Sequence, residues 1–170
     1  MFVLGIDPGL SRCGYGCVET SAACSGGRAV AAGVLRTPTD RPLPERLAML
    51  DADLRALIAD LEPHAVAVER LFFQVNARTA MAVGQASGLV LAAAARAGCE
   101  VVQYTPNEVK QAVAGYGAAP KEQVTRMVQS LLGLPAPPRP ADAADALALA
   151  LCHIAMAPLR AKVATARATR

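Results

Sequence analysis

The sequence predicts an α/β domain built on a five-stranded mixed sheet flanked by helices, and three observations carry that expectation. Short apolar runs at Phe2–Asp7, Gly14–Thr20 and Ala29–Leu35 follow one another closely, divided by Pro8-Gly9 and Ser25-Gly26-Gly27. Strands at this spacing read as an antiparallel meander. An amphipathic helical stretch then leads to a fourth apolar run, Ala65–Glu69, and such a strand–helix–strand crossover places that run parallel to the first. A second long helix and a fifth strand, Glu100–Tyr104, complete the sheet.

The chain of 170 residues is long enough for one domain with a substantial core. Hydrophobic residues make up 54% and charged residues 18%, a globular balance and not a disordered one. The longest uncharged stretch, Thr79 to Ala95, is short for a membrane span, contains Gln85 and Ser87, and is otherwise rich in Ala and Gly. The apolar start is too short for a secretory signal and lacks a basic leader. Five cysteines (Cys13, Cys17, Cys24, Cys99, Cys152) form no CxxC pair and no zinc-ligand spacing, and read as reduced thiols. Net charge is only +3, but it is unevenly spread: Arg70 to Cys99 holds three arginines and no acid, and four basic residues and no acid follow Asp145. A basic surface around a small acidic region suits a polyanionic ligand, nucleic acid above all.

Taken in order, the first run ends on Asp7, where Pro8-Gly9 turns the chain out of the sheet. Gly14 and Gly16 let the returning strand pass close to that point. Pro38 to Pro44 is a linker into a helix whose Leu47, Leu50, Leu54, Leu57, Ile58 and Leu61 repeat at helical spacing. The strand after it ends on Glu69, so Asp7 and Glu69 leave adjacent parallel strands at one edge, where open α/β sheets place ligands. Asn76 is suited to cap a long helix to about Arg96. Ala80, Gly84, Gly88 and Ala92 form a small-residue stripe along it that lets two backbones approach closely, either within the core or across a dimer axis, and packing into the core is the expectation for that stripe alone. Thr105-Pro106-Asn107-Glu108 is a capping box that opens a helix carrying Lys110. Gly115-Tyr116-Gly117 ends it, Pro120 opens the next with Lys121 and Arg126, and Pro135 to Pro140 connects to the last helix. Asp142 and Asp145 lie on one face of its start, where the helix dipole favours negative charge.

Four carboxylates thus occupy special positions: Asp7 and Glu69 at strand ends, Asp142 and Asp145 at a helix start. Converging carboxylates repel and are tolerated when hard cations neutralise them, and all-oxygen ligation selects Mg²⁺ or Mn²⁺. Without metal, the repulsion should destabilise the fold, and Asp142→Asn is expected to relieve it. His64 and His153 stand too far along their elements to join the cluster. Two divalent ions here support phosphodiester hydrolysis, with Lys110 or Lys121 stabilising charge on the phosphate.

Leu4-Gly5-Ile6-Asp7-Pro8-Gly9 with Gly14-Tyr15-Gly16 resembles RuvC, the bacterial Holliday junction resolvase family. So do Val68-Glu69 with Phe72 and Asn76, Gly84-Gln85-Ala86, Val109-Lys110-Gln111, and Ala141-Asp142-Ala143-Ala144-Asp145-Ala146-Leu147. The resemblance implies a ribonuclease-H-like fold, a homodimer, and symmetric nicking of two opposed strands of a four-way junction during recombination and repair. It implies Asp7, Glu69, Asp142 and Asp145 as ligands of two Mg²⁺ per subunit, with Mn²⁺ able to substitute. Lys110 and Lys121 match the family's catalytic lysines, and Phe72 its base-contacting aromatic. Phe73, Asn76 and Arg78, with the two lysines, are further DNA-contact candidates. The RuvA–RuvB branch-migration complex is the implied partner, the bacterial cytoplasm the implied location, and no membrane is involved. Arg70 stands where a glutamine is common, and Val75 and Ser87 where some relatives are basic. The nuclease domain is expected over residues 1–158, with 159–170 a flexible basic tail. An actin-like or sugar-kinase-like ATPase, the RNA-processing family of the same fold, and a junction-binding module without activity remain alternatives.

Overall fold

A computed structural model describes residues 1–20, 27–70 and 77–168. The three opening strands, β1 (Phe2–Asp7), β2 (Arg12–Glu19) and β3 (Arg28–Arg36), form the expected meander. They are followed by α1 (Leu43–Leu61), β4 (Ala65–Glu69), α2 (Ala77–Arg96), β5 (Glu100–Tyr104), α3 (Pro106–Ala114), α4 (Lys121–Leu131) and α5 (Ala141–Ala168). The sheet order is β3-β2-β1-β4-β5. β1 runs antiparallel to β2 and parallel to β4, and β4 runs parallel to β5. The three parallel strands therefore end on one edge.

Side chains alternate across each strand, so residue parity decides which layer they meet. Leu4 and Ile6 of β1, Cys13 and Cys17 of β2, and Val66 and Val68 of β4 pack against α1 and α2. Val3, Val18 and Ala67 face the other way, into a core shared with α3, α4 and α5. Gly5, Gly14 and Gly16 share that second face, and there α5 crosses the sheet at backbone contact. A Cβ on Gly5 would lie 1.9 Å from the Ala146 carbonyl oxygen, and one on Gly16 would lie 2.8 Å from the Leu147 nitrogen. The helix is buried on most sides, because α3 and α4 cover what the sheet does not. Its stretch Ala141–Arg160 is long and apolar enough to cross a membrane, and 56% of the apolar window is buried in the domain, as befits a core helix. Within this core Tyr104 Oη and His153 Nδ1 are hydrogen-bonded at 3.1 Å. Burial lowers the His153 pKa and pushes Tyr104 up to about 12, so both are neutral at pH 7.

Three expectations change. The helix opening at the Pro38–Pro44 linker starts at Leu43, with Pro44 taken into its first turn, where the missing N–H costs nothing. The small-residue stripe of α2 does not pack into the core: the helix's buried positions, among those described, are Ala86, Ser87, Val90, Ala93 and Ala94. A Cβ on Gly84 or Gly88 would meet nothing within 4 Å, so the stripe faces outward. Finally, α5 continues past Pro158 to Ala168, and residues 159–168 prolong the last helix. Ala, Lys and Arg are strong helix formers and carry the helix through the proline.

Gly5→Ala should reveal the constraint, since its methyl would meet main chain that cannot rotate aside. We expect a loss of stability at the upper end of the overpacking range, about 3 kcal/mol, read from the urea unfolding midpoint. A loss below about 0.5 kcal/mol would mean that α5 can lift from the sheet without penalty.

Candidate active site

Parity brings the strand carboxylates to the face that α5 crosses. Asp7 follows Val3 and Gly5 by alternation, and Glu69 follows Ala67. Ile6 pairs with Val68, so Asp7 and Glu69 emerge side by side. α5 supplies the other two from its first two turns. Its start is fixed at Gly14, where a Cβ would fall 2.2 Å from the Asp142 carbonyl oxygen and 2.9 Å from its Cβ. The turn between Asp7 and β2 is braced from α1. Thr37 Oγ1 donates to the Leu10 carbonyl at 2.6 Å, and Arg46 donates to Thr37 Oγ1 at 3.1 Å and to Ser11 Oγ at 2.6 Å.

The four carboxylates feel one another but are not equivalent. Burial, then the charges of Glu69 and Asp145, a hydrogen bond with Glu69, and the charge of Asp142 push Asp7 up to about 7. Glu69 is also raised, chiefly by burial. Asp142 behaves oppositely: hydrogen bonds from Arg12 hold its carboxyl below the usual range, and Arg12 Nε lies 3.0 Å from Asp142 Oδ2. Lys121 Nζ donates to Asp145 Oδ2 at 2.5 Å, which raises the lysine's pKa. Lys121 and Lys110 line one cavity of about 310 Å³ with Glu69, Asp145 and Pro106. Lys110 is aimed there by the capping box that starts α3: Thr105 Oγ1 accepts from the Glu108 amide at 3.2 Å, and Glu108 Oε2 accepts from the Thr105 amide at 2.8 Å.

The expected carboxylates and lysines are therefore together. His64 accepts from the Phe2 amide at 3.2 Å, near the start of β1, and His153 lies in the core, so neither histidine joins them. Phe72, Phe73 and Asn76 lie outside the described residues, as does the side chain of Arg78. Arg12 is the residue that sequence reasoning passed over. Its signal was its position two before Gly14, on the face that meets α5. As they stand, no three acidic, histidine or cysteine side chains among the described residues converge closely enough to hold an ion. Asp142 and Asp145 are each engaged by a cation instead. The donor set nevertheless fits a hard divalent cation: four carboxylates, with Asp7 pushed far up by burial and its neighbours, call for positive charge.

A family model described as Crossover junction endodeoxyribonuclease RuvC matches residues 3–153. The chain belongs to the RuvC family. A curated family member from Moorella thermoacetica is 56% identical over 160 residues, covering 94% of this chain and 95% of that protein. One from Salinispora arenicola is 54% identical over 168 residues, covering 98% and 94%. The solved Thermus thermophilus RuvC superposes with a TM-score of 0.87 at 42% identity, covering 94% of this chain and 96% of that one. That protein has also been solved in complex with a Holliday junction substrate. A yeast mitochondrial Holliday junction resolvase, 15% identical with a TM-score of 0.67, shares the fold.

The charge distribution corrects the expectation for Asp142→Asn. Arg12 already relieves Asp142, so that substitution removes an ion pair and does not relax the cluster. The strongest upward push falls on Asp7. A carboxyl raised in the folded state contributes stability at low pH that is lost as pH rises through its folded value. In EDTA, Asp7→Asn should therefore melt above wild type at pH 8. The gap should shrink from about pH 7 down toward pH 4, the interval between the folded and ordinary values of Asp7. Melting curves across that range check it, and a variant that melts lower at pH 8 would contradict the assignment.

Proposed function

We infer that the chain is a divalent-metal-dependent endonuclease that resolves Holliday junctions by nicking two opposed strands during DNA recombination and repair. The observation that carries the reading is that Glu69, from the neighbouring parallel strand end, and Asp142 and Asp145, from the start of α5, all lie near enough to Asp7 to raise it, in a chain of the RuvC family. Supporting the substrate, the Thermus thermophilus relative at 42% identity has been solved with a Holliday junction. The four carboxylates are the metal ligands in this reading, for two Mg²⁺ per subunit with Mn²⁺ as a substitute. When bound, such ions activate a water and stabilise the leaving 3′ oxygen. The protein's own part is positional and electrostatic. Lys121, beside Asp145, and Lys110, across the cavity, hold positive charge where the phosphate must enter. Phe72, Phe73, Asn76 and Arg78 follow Glu69 closely in sequence and serve as DNA contacts, Phe72 by stacking on a base.

Symmetric nicking needs two sites, and a homodimer supplies them. The outward stripe of α2 suits its interface, since Gly84 and Gly88 leave room for a second backbone. The nuclease domain spans 1–158, and 159–170 add basic residues at its end. The RuvA–RuvB branch-migration complex is the partner, and the bacterial cytoplasm, where the chromosome lies, is the setting.

With Mg²⁺ and a synthetic four-way junction, Asp7→Asn should cut at less than about one-hundredth of the wild-type rate while still shifting the junction in a gel. Cutting at near wild-type rate would remove Asp7 from the metal site.

Gly84→Arg tests the dimer. Within the protomer a Cβ at this position meets nothing within 4 Å, so the circular dichroism spectrum should match wild type, while light scattering reads a monomer against a wild-type dimer. A variant that remains dimeric would place the interface elsewhere.

A further inference from the structure

Arg12 sends two N–H groups to a single oxygen of Asp142, Nε at 3.0 Å and Nη2 in a close ion pair. The pairing is built in by the fold. Arg12 and Gly14 share the α5 face of β2, and the Asp142 main chain rests on Gly14. The guanidinium beside it therefore reaches the carboxylate without leaving its strand. An arginine does not lose its proton, so Asp142 Oδ2 becomes available only if the guanidinium moves away. The Arg12 side chain is 42% exposed, so the guanidinium has solvent to move into.

We propose that Arg12 is a resident counter-ion for the metal site: it holds Asp142 through Oδ2 and competes with a divalent ion for that carboxylate. Arg12 thereby lowers metal affinity and keeps Asp142 ordered while the site waits. The proposal rests on the reading of Asp142 as a metal ligand. It differs from the role of Lys121, whose ammonium faces the cavity where phosphate enters; Arg12 does not line that cavity. Its action is on Asp142, which makes it a positioning residue.

Calorimetric titration of Mn²⁺ into the full chain, without DNA, tests this in four proteins: wild type, Arg12→Gln, Asp142→Asn and the double variant. Arg12→Gln should bind Mn²⁺ about fivefold more tightly than wild type, the scale of one partly exposed ion pair. In the Asp142→Asn background, Arg12→Gln should change the affinity far less. Arg12→Lys, which keeps the charge, should stay close to wild type. Unchanged or weaker binding by Arg12→Gln overturns the proposal. So does an equal gain in both backgrounds, because Arg12 would then act through its general field and not through Asp142. If Asp142→Asn alone binds Mn²⁺ as wild type does, the ligand reading of Asp142 fails, and the proposal falls with it. Melting in EDTA separates these outcomes from loss of fold.

Discussion

The structure depends on one contact: the backbone of α5 lying directly on the backbones of β1 and β2. Gly5 and Gly14 leave spaces that no other residue could leave, with the Ala146 and Asp142 carbonyl oxygens where a Cβ would project. Because the helix sits this low, its first turns reach the sheet edge at the height of Asp7 and Glu69. Lifting α5 by the thickness of a methyl group would carry Asp142 and Asp145 away from the strand carboxylates. The same approach explains why so many inward residues of α5 are alanine: Ala143, Ala146 and Ala150 are fully buried where a larger side chain would wedge the layers apart.

Much of this was legible in the sequence because the signals are local. The strand runs end on Asp7 and Glu69, Thr105 and Glu108 announce the start of α3, and Asp142 with Asp145 fixes one helix face. Gly14 and Gly16 were readable as sites of close approach. What the sequence withheld depends on orientation and on partners distant in the chain. Ala80, Gly84, Gly88 and Ala92 are small whether they face a core or solvent, and only the placement of Ala86 and Val90 decides which. Arg12 and Asp142 are 130 residues apart, and their pairing needs both the parity of β2 and the docking of α5. Four acids in a row of motifs look alike on paper. Folding separates them into two held by ion pairs on the helix and two raised by burial at the strand ends.

That separation changes how the site stores its electrostatic energy. A cluster of equal, unpaired charges would push the sheet edge and the helix start apart. Here the charges on the helix are held in ion pairs by Arg12 and Lys121, and the pair without an ion pair among the described residues lies on β1 and β4, which the ladder of hydrogen bonds already ties together. The repulsion thus falls on the part of the scaffold best able to bear it. The helix, which is joined to the sheet by packing and by side-chain links such as Arg12–Asp142 and Tyr104–His153 but by no main-chain ladder, carries less of it.

The thiols complete the picture from another side. Cys13, Cys17 and Cys152 are free and buried, and burial pushes them up to about 12, 11 and 12, respectively. Almost no thiolate exists at such sites at neutral pH, and thiolate is the form that peroxides attack. These three sulfurs serve as small apolar filler, and Cys13 does so one strand away from the acidic site. An enzyme that works on damaged chromosomes is thereby spared inactivation at these positions by the same oxidants that break DNA.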